Sequence, residues 1–248
     1  MSDTSLDGSV ALVTGASGDI GAATARRLAR EGAAVALVTR CRDRLDRVAN
    51  DITRLGGRAV TVQADLTEPD RAYQAVQETL DRLGRLDVLV NAAGVYSGRG
   101  SADPAEAGEA LGRLEMEAAL GVLRTNAVGP LLVAQAFLDL LRRGRGARIV
   151  SLSSGYGSVS ANHGGFPYYY AASKAALNMF MRSLAGDTKG TDAIAVLLDP
   201  GWVRTDMGGP HAPISAADSV ASLLRVIDGL EARHNGQFLD RHGHAKAW

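Results

Sequence analysis

The chain has one cysteine, Cys41, so no disulfide can close within it, and a lone thiol suits a reducing compartment. It has no excess of charge of either sign: 27 Lys and Arg balance 27 Asp and Glu. Bulk electrostatics therefore give no reason to expect nucleic acid or an anionic membrane as the main partner. No apolar run approaches the ~20 residues needed to cross a bilayer. Residues 1–8 are polar and acidic, without the basic-then-apolar pattern of a signal peptide. The five histidines and single cysteine show no metal-ligand spacing, and there is no internal repeat or linker-like tract. The expectation left standing is a cytoplasmic enzyme formed by one α/β domain over all 248 residues, a length that buries a large core without splitting.

What is present is an alternation. Short apolar, β-branched runs at 10–13, 34–38, 59–63, 88–90, 148–152 and 194–198 read as strands, with 237–239 as a last one. Between them lie helical patterns. Residues 20–31 form one, stopped by Gly32. Leu45, Val48, Ile52 and Leu55 mark one face of the next, which ends at Gly56-Gly57. Thr67-Glu68-Pro69-Asp70 resembles a capped helix start, continued by the stripe Tyr73, Val76, Leu80 and Leu83. Buried strands alternating with helices predict a doubly wound Rossmann domain with a parallel sheet of about seven strands. The loop-like stretches 97–108 and 201–213 then fall at the carboxyl ends of strands, where such sheets bind ligands.

The segment Thr14-Gly15-Ala16-Ser17-Gly18-Asp19-Ile20-Gly21 follows the first strand and opens the first helix, with glycines three apart. A dinucleotide pyrophosphate needs a tight turn, a close backbone approach and a helix N-terminus with free N–H groups, and glycines here meet these needs. The second strand ends at Thr39-Arg40, with a cation where an NAD enzyme places an acid, so NADP(H) is expected over NAD(H). Further on, Tyr170 and Lys174 stand four residues apart, on one face of a helix. An adjacent ammonium favours the phenolate and brings a phenol of pKa ~10 toward the range of a working acid or base. Tyr168 and Tyr169 lack a lysine at that offset.

Thr14 to Gly21, Asp65-Leu66, Asn91-Ala92-Ala93-Gly94, Asn126, Ser153-Ser154, Tyr170-x-x-x-Lys174 and Pro200-Gly201 occur in the order of the short-chain dehydrogenase/reductase family, which the chain resembles over nearly its whole length. Its ending, from Pro200-Gly201-Trp202-Val203-Arg204-Thr205-Asp206-Met207 to Trp248, looks like the carbonyl reductase branch. The resemblance implies hydride transfer between NADP(H) and a ketone, aldehyde or alcohol. Tyr170 would be the general acid or base, Lys174 would bond the nicotinamide ribose and lower the Tyr170 pKa, and Ser154 would orient the substrate oxygen. Asn126 would hold a water linking Lys174 to solvent, with a helix kink as the rival reading. Cofactor contacts would come from Gly15, Ser17, Gly18, Asp19, Ile20, Gly21, Arg40, Asp65, Leu66, Asn91, Ala92, Gly94, Pro200, Gly201, Val203 and Thr205, besides Tyr170 and Lys174. Among these Asp65 would bond the adenine, Asn91 would brace the central strand, and Thr205 would contact the carboxamide.

The chain also departs from that pattern. Asp19 stands where the compact branch has glycine, and the Gly15/Gly18/Gly21 spacing resembles the extended branch of nucleotide-sugar epimerases and dehydratases. A carboxylate beside a pyrophosphate is unfavourable unless it points away or caps the helix. Tyr156, Phe166, Tyr169, Trp202 and Met207 suggest an apolar or aromatic small-molecule substrate, and His163 reads as an exposed loop residue. A homodimer or homotetramer is expected from the resemblance, with Ala171, Ala172, Ala175 and Ala176 permitting close helix contact. The competing functions are a non-catalytic nucleotide sensor or signalling protein on the same fold and a nucleotide-sugar epimerase or dehydratase.

Overall fold

The computed structural model describes residues 6–96, 109, 111–143, 146–165 and 167–248. Seven parallel strands form the main sheet: β1 (Val10–Thr14), β2 (Ala34–Thr39), β3 (Ala59–Gln63), β4 (Val88–Asn91), β5 (Arg148–Leu152), β6 (Ile194–Asp199) and β9 (Phe238–Asp240). Their order is β3-β2-β1-β4-β5-β6-β9, so the chain reverses direction across the sheet between β1 and β4. That switch leaves a crevice at the strands' carboxyl ends. The strand-end pairs Thr14 with Asn91 and Asn91 with Ser151 place three polar residues in a row beneath it.

Both sheet faces are buried because successive side chains alternate. Val10 and Leu12 pack with Phe137, Leu177 and Met181, under α3 (Pro69–Leu83), α5 (Gly129–Arg143) and α6 (Tyr168–Asp187). Ala11 and Val13 pack with Leu28, Ile52 and Leu223, under α1 (Asp19–Arg30), α2 (Arg42–Arg54) and α7 (Ala216–Asp228). Leu177 and Met181 are each 1% exposed, and side chains buried to that degree contribute roughly 1.5–3 kcal/mol apiece, which holds α6 in place over the sheet.

Three features differ from the sequence expectation. The start of α3 is not capped by the Thr67 hydroxyl, because that hydroxyl donates to Asp65 Oδ1 at 2.8 Å; Pro69 opens the helix instead. Residues Arg124–Val128 form a π turn between α4 (Met116–Leu123) and α5. Segment 201–213 carries a two-residue strand, β7 (Val203–Arg204), paired in parallel with β8 (Ile214–Ser215). The stretch 97–108 lies outside the described residues.

Candidate active site

The glycine loop takes its shape from close backbone approach. Gly15 has φ +65°, and a Cβ there would lie 2.6 Å from Ala93 Cα. A Cβ on Gly21 would lie 2.3 Å from the Gly15 carbonyl oxygen, so α1 can begin this close to the turn only with glycine. Gly18 carries no such constraint, its added Cβ reaching only 3.5 Å from Gly15 O. Asp19 points away from the loop: its Oδ2 accepts the Asp206 N–H at 3.0 Å, tying the start of α1 to segment 201–213.

A cleft beside this loop is lined by Gly15, Ser17, Gly18, Arg40, Asp65, Leu66, Asn91, Ala92 and Gly94, among others. Arg40 is exposed at its edge, and Ser17 Oγ and Thr39 Oγ1 meet at 3.2 Å just inside. Burial raises the Asp65 carboxyl, but hydrogen bonds from the Thr67 hydroxyl and N–H, with the charges of Arg40 and Arg124, bring it below its usual value. Asn91 Nδ2 donates to Ser151 Oγ at 3.1 Å, while its buried Oδ1 has no partner among the described residues. An orphaned acceptor, a bare glycine rim and an exposed cation at the end of β2 fit a phosphorylated dinucleotide. Ile20, Gly21, Pro200, Gly201, Val203 and Thr205 do not line this cleft. The Thr205 hydroxyl is engaged locally, accepting the Gly208 N–H at 2.9 Å.

At Gly94 the cleft meets the chemical centre. A Cβ on Gly94 would lie 3.6 Å from Asn126 Oδ1 and 3.9 Å from Lys174 Nζ. Lys174 is 4% exposed; its Nζ donates to the Leu152 carbonyl at 2.8 Å and sits 5.6 Å from the centre of the Tyr170 ring. Burial draws the Lys174 ammonium down to about 8, opposed by the Asp199 carboxylate. Burial likewise pushes the Tyr170 phenol up to about 12, against the hydrogen-bonding Ser154 hydroxyl and with the Asp199 charge. Desolvation is the largest cause, and a phenol so placed is protonated at neutral pH.

The two serines sit in different surroundings. Ser153 is 2% exposed and donates to Asn178 Oδ1 at 2.6 Å, whereas Ser154 is half-buried beside Tyr170. Asn126 sits in the π turn with its side chain committed. Its Oδ1 accepts Val95 N–H at 2.8 Å, and its Nδ2 donates to Val95 O at 2.8 Å and Ser173 Oγ at 3.0 Å. Both amide hydrogens are spent, so this side chain clamps the strand-β4 exit to α6.

Several neighbours were invisible in the sequence. Tyr96 packs edge-on against Tyr170 at 5.2 Å, as does Tyr156, which the sequence had singled out, at 6.2 Å. Nothing periodic marks Tyr96. Glu109 is fully buried, which pushes its carboxyl up, and its Oε2 accepts the Tyr169 N–H at 2.8 Å at the N-terminus of the helix that carries Tyr170. Asp199 pairs with Lys246 at 2.9 Å, and its position at a strand's carboxyl end was the available signal. Tyr169 is not a pocket wall: it is 7% exposed and its hydroxyl accepts the Glu115 N–H at 2.6 Å. His163 is exposed, and Phe166 lies outside the described residues.

The short chain dehydrogenase family model matches residues 9–213. The chain is 45% identical over 165 residues to the C-signal of Myxococcus xanthus, covering 66% of this chain and 94% of that protein. It is 32% identical over 232 residues to a short chain dehydrogenase of Pseudocercospora fijiensis, covering 94% and 72% respectively. The structure of NADPH-bound carbonyl reductase from chicken fatty liver matches with a TM-score of 0.85 at 29% identity, over 98% of this chain and 99% of that one. A short chain dehydrogenase from Burkholderia cenocepacia in complex with NADP matches at 0.82 with 33% identity, over 98% and 99%. The chain belongs to the short-chain dehydrogenase family.

Proposed function

We propose that this short-chain dehydrogenase interconverts a carbonyl and an alcohol with NADP(H), using Tyr170 as the proton donor and acceptor. The observation that carries the reading is half-buried Tyr170 beside Ser154 and the buried Lys174, next to Gly94 of the cleft. The nicotinamide, when bound, supplies or takes the hydride. In reduction Tyr170 gives its Oη proton to the carbonyl oxygen, completing the alcohol, and is reprotonated from solvent. Ser154 donates to the same oxygen, so two groups share the charge that develops there. Arg40 would hold the adenosine 2′-phosphate, a reading supported by the cofactors named for the two solved relatives. The apolar Tyr96 and Tyr156 faces beside Tyr170 suit an apolar or aromatic substrate.

The test is NADPH oxidation against a panel of ketones and aldehydes. Tyr170→Phe removes only the hydroxyl, and kcat/KM is expected to fall by about 10²–10⁴-fold with NADPH affinity retained. An equally active variant overturns the assignment. A second reading, a nucleotide-binding signalling protein, draws on the likeness to the C-signal; NADPH binding without turnover of any substrate in the panel would favour it. Self-association is also proposed, through the exposed apolar residues Met116 and Leu120 of α4 and Met179 of α6, and light scattering that shows only monomer removes it.

A further inference from the structure

A second cavity, of about 300 Å³, opens between the end of α7, the 3-10 turn Ala232–His234 and the turn after β9. It shares no lining residue with the cofactor cleft. Its chemistry is one-sided. Arg225 donates to Ser222 Oγ at 3.1 Å and Arg241 donates to the same oxygen at 3.3 Å. Neither guanidinium forms an ion pair among the described residues, although Arg233 alongside pairs with Glu231 at 2.7 Å.

Of the acids nearby, Asp228 at the end of α7 acts on Arg148 and forms no ion pair with either guanidinium. Asp240 accepts the N–H groups of His242 and His244, and Asp218 accepts the Ser215 hydroxyl. Ser222 is 4% exposed and uses its oxygen as acceptor for both cations, leaving its own O–H with no acceptor among the described residues. A buried hydroxyl proton and two unneutralised guanidiniums, all donors, converge on one cavity. Such a set is completed by an oxyanion with several acceptor oxygens, and planar guanidinium forks match a phosphoryl group well. The volume sits at the lower edge of small-molecule pockets, ~300–1,000 Å³, and leaves room for a short organic arm.

We propose that this cavity binds a phosphoryl group, as free phosphate or on a small phosphate monoester, held by Arg225 and Arg241 with Ser222 donating from the floor. The site is separate from the proposed chemistry, so its test does not depend on turnover. Calorimetric titration of the full chain with inorganic phosphate, and in parallel with glycerol phosphate, distinguishes the two sources. Wild type is expected to bind at this site, and Arg225→Gln/Arg241→Gln to weaken that binding by tenfold or more. Arg40→Gln, in the cofactor cleft, controls for phosphate held there and is expected to leave this binding unchanged. Ser222→Ala, a milder change, is expected to weaken it a few-fold while the thermal midpoint stays close to wild type. Tighter binding of the ester identifies the organic arm as part of the ligand, and equal binding identifies phosphate alone. Absence of phosphate binding overturns the proposal, as does a double variant that binds like wild type. A double variant that alters only the oligomeric state, with no phosphate bound by wild type, also overturns it and marks the surface as a contact between copies.

Discussion

The two halves of the candidate site are built from different materials. The glycine-loop half is set by backbone against backbone: Gly21 on Gly15, Gly15 on Ala93. The Tyr170 half is set by polar side chains withdrawn from water: Lys174 on Leu152 O, Asn126 on Val95 and Ser173, Glu109 under Tyr169. The first kind of order is steric and insensitive to pH. The second is electrostatic, because each buried group has its protonation set by what surrounds it. At Gly15 and Gly21 the cradle therefore tolerates no added carbon, whereas the chemical centre tolerates changes of shape better than changes of charge.

Adding one carbon to the cradle is the most severe way to break this contrast. Gly21→Ala places a Cβ against a backbone carbonyl that has no flexible end to yield. Overpacking of this kind costs about 1–3 kcal/mol, and the thermal midpoint is expected to fall by roughly 5 °C. NADPH affinity should fall with it. A variant with both quantities unchanged would show that the loop is not sterically determined. Next in size is the charge at the cleft edge. Arg40→Gln is expected to lower the NADPH-to-NADH preference by about tenfold, the equivalent of ~1.4 kcal/mol, measured as the ratio of kcat/KM values. An unchanged ratio would move the 2′-phosphate contact elsewhere.

The smallest effect sharpens the electrostatic half. Asp199 raises both the Lys174 and the Tyr170 values, and Lys246 stands 2.9 Å from it as counter-ion. Lys246→Met unmasks the carboxylate, further favouring the protonated ammonium and phenol. The limb of the pH–rate profile near the Lys174 value of about 8 is expected to move up by a few tenths of a unit, the size of a partly screened charge. Asp199→Asn should move it down. If neither variant shifts the limb, the site is insulated from this pair. Lys174 also links to stability: its folded value lies below that of the free side chain. Between pH 8 and the free value near 10.4 the unfolded chain binds more protons, so stability rises with pH across that window.

Much of this arrangement was readable in residue order. The alternation of apolar runs and helical stripes specified a parallel doubly wound sheet, because parallel strands demand crossover helices. The motifs at 14–21, 91–94, 154, 170 and 174 marked the residues that the sheet's carboxyl ends bring together. Local pattern sufficed there because strand period and helix period are properties of a few neighbouring residues. What it could not supply were contacts between distant segments. Asp19 looked like an obstacle to the cofactor until its carboxylate was found bonded to Asp206 N, far along the chain. The bonds by which Asn126 joins Val95 to Ser173 likewise left no mark in residue order.

Tyr170 shows the division most clearly. Its offset from Lys174 is a matter of helical geometry and was set by sequence alone. The protonation state of the phenol was decided by burial, by Ser154 and by Asp199, three features that only the folded chain assembles. Spacing along a helix is local, but the dielectric around a buried group depends on everything packed against it.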